Sequence, residues 1–181
     1  MKTKSSLLLI VLVIFSVQLT RGQSDGNAVT DLLLSAYSPK NFTAEPVTDQ
    51  QLDLILKCGI KAPSGRNLQP WRFTVVRDEP SMIDIIGNVV AGNVLILVSG
   101  PETQERGTPD FDCGLATQNM FIAASSLGLG ARIYGGPTAA ANAKREPLQV
   151  PAGFKVIMIL RVGNIDKSVD AVSGASTRKP Q

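Results

Sequence analysis

Hydrophobic residues recur along this chain with two periods, and their alternation predicts the elements. Leu52, Ile55, Leu56 and Ile60 fall on one helical face behind Thr48 and Gln51, which stand at capping-box spacing, so a helix is expected from about Asp49 to Lys61. Trp71 to Arg77 and Val94 to Ser99 are short runs rich in β-branched residues and read as strands, with a helix around Ser81 to Val90 between them. Phe111 to Leu127 carries almost no charge and includes Gly114, Ala116, Ala123, Ala124, Ser125 and Ser126. Such small residues permit close helix packing, so this segment predicts a long, buried central helix, stopped by Gly128 and Gly130. Phe154 to Val162 is apolar apart from Lys155 and Arg161 and reads as the last strand. From about residue 165 the chain becomes a polar tail. The pattern is that of an α+β domain with helices around a modest sheet.

The N-terminus departs from this periodicity. Lys2 and Lys4 precede an apolar run from Leu7 to Val17, and the small Gly22 comes before a polar stretch, the layout of a secretory signal peptide over residues 1–22. The run is short for a membrane span, although an uncleaved anchor is the competing reading. Residues 23–181 then form a single expected domain, exported to a periplasmic or extracellular space where soluble nicotinamide cofactors are not normally supplied.

Composition narrows the chemistry. The 181 residues include no histidine, which excludes serine–histidine triads, histidine bases and nearly all catalytic zinc arrangements. Cys58 and Cys113, the two cysteines, both fall in predicted helices and read as small buried hydrophobes, so no metal site and no disulfide framework is expected. A net charge of +3 with scattered basic residues gives no ground for nucleic-acid binding. Demanding chemistry must rest on carboxylates, lysines or a borrowed cofactor.

The segment from Ala62 to Phe73 concentrates turn formers and amide side chains between a helix and a strand: Pro63, Ser64, Gly65, Asn67, Gln69 and Pro70. Alone it also describes a well-capped surface turn. It resembles the flavin-binding loop of the nitroreductase family, and two further segments resemble that family in order. Ser38 and Lys40 stand in its Arg-x-Ser-x-Arg segment, and Asp112, Gly114, Ala116, Gln118 and Asn119, leading to Gly128-Leu129-Gly130, match its central helix. The resemblance implies a nitroreductase-like fold with a mainly antiparallel central sheet, a homodimer, and FMN held between subunits. It implies that Ser64, Asn67 and Gln69, which offer both donors and acceptors, approach the partner subunit's flavin. Tyr134, Gly135 and Gly136 then place backbone groups beside the flavin N5 and pyrimidine edge, with Lys40 near the N1/O2 edge. No side chain is expected to act as a catalyst itself, because the flavin carries the chemistry.

Departures from the family pattern matter as well. Ala36 and Lys40 replace its two arginines, which weakens a bidentate phosphate grip to a point charge. The link from the strand near Ser99 to the central helix is brief, so an open pocket is expected. In the tail, Asp170-Ala171-Val172-Ser173-Gly174-Ala175-Ser176 resembles the signature at which a flavin transferase attaches FMN covalently, with Ser176 as acceptor, Thr177 as fallback, and Arg178 and Lys179 as phosphate ligands. A flexible Gly/Ser tail matches the same short pattern. The resulting expectation is an FMN-dependent oxidoreductase reducing nitroaromatics, quinones or similar electron-poor acceptors. Its donor is NAD(P)H or, after export, a membrane quinol or another redox protein. An exported electron carrier with covalent FMN and a flavin-free binding module are the alternatives.

Overall fold

A computed structural model describes residues 26–103 and 107–170. The segment before Ser35 is a unit of its own, seen as helix α1 (Ala28–Ser35), whose start is capped by Asn27 accepting from the amides of Val29 and Thr30. The described residues from Ser35 onward form a second compact body.

That body is built on four antiparallel strands: β1 (Arg72–Val76), β2 (Val94–Pro101), β3 (Gly130–Tyr134) and β4 (Phe154–Gly163), in the order β1-β2-β4-β3. β2 and β4 lie in the middle, which explains why they are apolar on both faces, with Val94 to Gly100 all buried. Alternate residues divide between two cores. Ile96, Val98, Leu160 and Val162 face α2 (Asp49–Ile60) and α4 (Pro109–Ser126), whereas Leu95, Leu97, Val156 and Ile159 face α3 (Glu79–Ile86) and α5 (Thr138–Ala143). The result is a sheet between two helical layers, the expected α+β architecture.

α2 begins where the capping box places it: Thr48 accepts from the Gln51 amide at 3.2 Å, and the Gln51 side chain accepts from the Thr48 amide at 3.0 Å. Leu52 and Ile55 are buried as expected, but Ile60 is exposed and Gly59 takes the packed position. A Cβ at Gly59 would lie 2.7 Å from the Met120 side chain, so α2 meets α4 at a distance only glycine permits. α3 starts two residues earlier than the periodicity suggests because Asp78 caps the Ser81 amide, and it ends at Gly87 with φ of 75°. β3 and α5, absent from the sequence reading, are short; β3 is an edge strand and α5 is mostly alanine, so neither carries a strong periodic signal.

Candidate functional site

Pro63 to Pro70 leaves α2 as a short 3-10 turn at Gly65–Asn67 before β1. Three non-glycine residues in this loop adopt left-handed backbone, Arg66 at φ 55°, Asn67 at 56° and Gln69 at 47°. Each costs about 1–2 kcal/mol for a residue with a Cβ, less for asparagine, so the loop stores strain that nothing in its surface position requires. Polar bonds hold that shape: the Gln69 amide donates to Ser64 Oγ at 3.0 Å, and Gln69 Nε2 donates to Asn67 Oδ1 at 3.1 Å. Gly65, Asn67 and Gln69 are exposed and Ser64 is half-buried, so a fixed polar rim faces outward.

Asp112, in the first turn of α4, anchors the loop from below. Its Oδ1 accepts the Gly65 amide at 3.0 Å, while Oδ2 is buried without a hydrogen bond. A second tie joins the helices, with Asn119 Nδ2 donating to the Cys58 carbonyl at 3.2 Å. Burial first, then the carboxylates of Asp110 and Asp112, pushes the neighbouring Cys113 thiol up to about 12, so it stays protonated and inert. Cys58 is only half-buried, a departure from the expected fully buried pair.

The second cluster lies along edge strand β3. At its start, a Cβ on Gly130 would come within 2.6 Å of Pro39, so the Ser38–Lys40 segment rests directly on the strand. Arg132 reaches the Pro39 carbonyl at 3.5 Å and sits over the Tyr134 ring at 5.4 Å. Ser38 and Lys40 are exposed. At the strand's far end Gly135 and Gly136 are exposed, and a Cβ on either would meet no atom within 4 Å, so open space lies beside them. β3 therefore brings Ser38, Lys40, Tyr134, Gly135 and Gly136 to one edge of the sheet. Pro63, Ser64, Gly65, Asn67 and Gln69 gather instead before β1 at the opposite edge of the sheet, beside Asp112 at the start of α4. Ser176, Arg178 and Lys179 lie outside the described residues, as does the 1–22 segment.

Two carboxylates escaped the sequence reading as structural parts of this site. Asp170 is fully buried and accepts from the Lys40 amide at 2.7 Å, the Asn41 amide at 2.8 Å and Asn41 Nδ2 at 3.1 Å. The Tyr37 hydroxyl beside it has its pKa raised, first by burial and then by the Asp170 charge and hydrogen bond. Asp112 was read only as part of the central-helix match and Asp170 only as the first residue of the tail signature; neither spacing reveals the partner amides, which for Asp170 lie 130 residues away. Among the described residues no group of acidic, cysteine or histidine side chains could hold a metal ion.

Comparison with known proteins adds independent evidence. The model of the nitroreductase family matches residues 33–97 and 87–164. A Desulfovibrio desulfuricans protein crystallised in complex with FMN and named as a nitroreductase is 32% identical, with a TM-score of 0.72 over 86% of this chain and 93% of its own. A protein of Archaeoglobus fulgidus, named for NADH dehydrogenase or NAD(P)H nitroreductase activity, is 28% identical over 143 residues, 73% of this chain and 82% of its own. The NADPH-flavin oxidoreductase of Vibrio harveyi is 28% identical over 164 residues, covering 78% of this chain and 68% of the relative.

Proposed function

This chain belongs to the nitroreductase family, and from that premise we propose that it is an FMN-dependent oxidoreductase reducing electron-poor acceptors such as nitroaromatics and quinones. The observation that carries the reading is the strained loop: three left-handed non-glycine residues maintained at the surface to display Ser64, Asn67 and Gln69. The residues present suit a flavin. The loop offers hydroxyl and amide groups able to donate and accept along a heterocycle edge, and Gly135 and Gly136 leave room for a flat ring against backbone donors.

FMN, when bound, supplies two-electron redox chemistry. The protein's part is binding and electrostatics. Gly135 and Gly136 offer backbone N–H groups to the ring, Ser38 gives a hydroxyl to the phosphate end, and Lys40 adds a positive charge beside it. Asp112 fixes the loop through Gly65, so the rim is ordered before the cofactor arrives.

The site is complete in a homodimer. The loop anchor at Asp112 and the end of α4 at Ser126 are 14 residues apart, about 20 Å at helical rise. The loop at the first end and the Ser38–Lys40 segment at the second are therefore brought together when a second copy lies antiparallel along α4. A stripe suited to that contact runs down the helix: Phe111 is 65% exposed, a Cβ at Gly114 would touch nothing, and Leu115 and Ile122 are half-buried. Supporting export is the charged-then-apolar layout of residues 1–22, and supporting covalent attachment at Ser176 is the tail signature followed by Arg178 and Lys179. The carrier alternative draws on the short connection between Pro101 and Pro109.

The deciding experiment is reconstitution of the purified chain with FMN, followed by turnover with an artificial donor and a nitroaromatic acceptor. Flavin uptake with turnover supports the enzyme, and uptake with electron transfer only to protein partners supports the carrier. A chain that takes up no FMN refutes both.

A further inference from the structure

The segment carrying Ser38 and Lys40 is fastened to the end of β4 by a ladder of bonds. The Thr43 amide donates to the Asn164 carbonyl at 2.8 Å, Phe42 bridges to Ile165, and the Asp166 amide donates to the Asn41 carbonyl at 3.1 Å. At the top of the ladder Asp170 accepts three N–H groups on a single oxygen, two of them the consecutive backbone amides of Lys40 and Asn41. Consecutive amides of this kind form a concavity suited to an anion. Here the chain fills it with its own buried carboxylate, whose second oxygen is also buried and lacks a hydrogen bond of good geometry.

The consequence is electrostatic. The Lys40 side chain is four carbons long, so its ammonium stays within roughly 10 Å of Asp170 in any rotamer. Arg132 reaches the Pro39 carbonyl and adds a second positive charge, and the Tyr37 phenol stays neutral beside Asp170. A phosphate approaching Ser38 and Lys40 finds the backbone donors occupied and a fixed negative charge behind them.

Resting on the flavin reading above, we propose that Asp170 both positions the Ser38–Lys40 segment and offsets part of the positive charge that Lys40 and Arg132 offer a phosphate, so that the phosphate adds less to reversible flavin affinity than the two cations alone would give. The site then favours FMN over riboflavin only modestly.

The test is a fluorescence titration of the full chain, expressed without a flavin transferase and freed of flavin, with FMN and with riboflavin. Wild type binds the two within about tenfold of each other, and that ratio changes less than about threefold between low and high salt, because Asp170 already offsets part of the charge that screening acts on. Asp170→Asn keeps an oxygen for the Lys40 and Asn41 amides but removes the charge; it tightens FMN about fivefold to tenfold while leaving riboflavin unchanged. Equal weakening of both flavins by Asp170→Asn would overturn the proposal, since a purely structural anchor gives that result. So would wild-type FMN affinity a hundredfold or more above riboflavin with steep salt dependence, a measurement that stands even if the variant fails to fold. Binding of neither flavin refutes the oxidoreductase reading itself, which is a different outcome from tight, phosphate-selective binding.

Discussion

Strain at Gln69 gives a prediction in which stability and binding move in opposite directions. At φ 47° this residue occupies left-handed backbone, which costs about 1–2 kcal/mol for any residue with a Cβ. Gln69→Gly removes that cost and returns about 0.5–1 kcal/mol to the unfolded chain as entropy. Gln69→Ala keeps the strain. Both variants retain the amide bond to Ser64 Oγ at 3.0 Å, and both lose the exposed side-chain bond to Asn67 at 3.1 Å, worth about 0.5 kcal/mol. The glycine variant is therefore more stable than the alanine variant by about 1 kcal/mol, or about 2–4 °C in melting temperature for a chain of this size. On the proposed flavin reading each variant loses one ring-facing amide, so FMN affinity falls about fivefold to tenfold in both. Thermal melts of the three flavin-free proteins and fluorescence titrations with FMN read both quantities. A glycine variant melting below the alanine variant would show that the loop is not strained, and unchanged FMN affinity would remove Gln69 from the site.

Other predictions concern the scaffold beneath the site. Arg161, buried on β4, donates from Nε to Asn93 Oδ1 at 2.8 Å and from Nη1 to the Asn88 carbonyl at 2.6 Å, and lies 4.1 Å from the Phe42 ring centroid; Arg161→Met should destabilise by about 2–4 kcal/mol in urea unfolding. A neutral or stabilising result would mean that burying the guanidinium costs more than its partners return. Asp112→Ala, which strands the Gly65 amide, should lower stability by about 1–3 kcal/mol and weaken FMN, whereas Asp112→Asn should retain most of both. Cys113, with its folded pKa raised to about 12, should resist a thiol reagent in the native protein at pH 8 while Cys58 reacts, and both should react after denaturation. Because the folded value lies above the unfolded one, Cys113 contributes its full stability below the unfolded pKa and loses it as pH rises from there toward 12, so the melting temperature should fall more steeply above pH 9 than in Cys113→Ser.

Local rules were sufficient for much of this protein. The capping pair Thr48 and Gln51, the β-branched runs and the small-residue stretch from Gly114 to Ser126 are short-range signals, and they located α2, β1, β2, α4 and β4 to within a few residues. The proline-bounded loop was legible for the same reason, since its residue types set its backbone options. What the tertiary structure alone decided depends on partners distant in sequence. Edge strand β3 has its register only through pairing with β4, and Gly59 rather than Ile60 is buried only because Met120 fills the space. Asp112 and Asp170 are buried acids whose meaning comes from amides 47 and 130 residues away. Sequence spacing carries no trace of such pairs, because the chain folds back to form them only when the sheet and helices close around a common core.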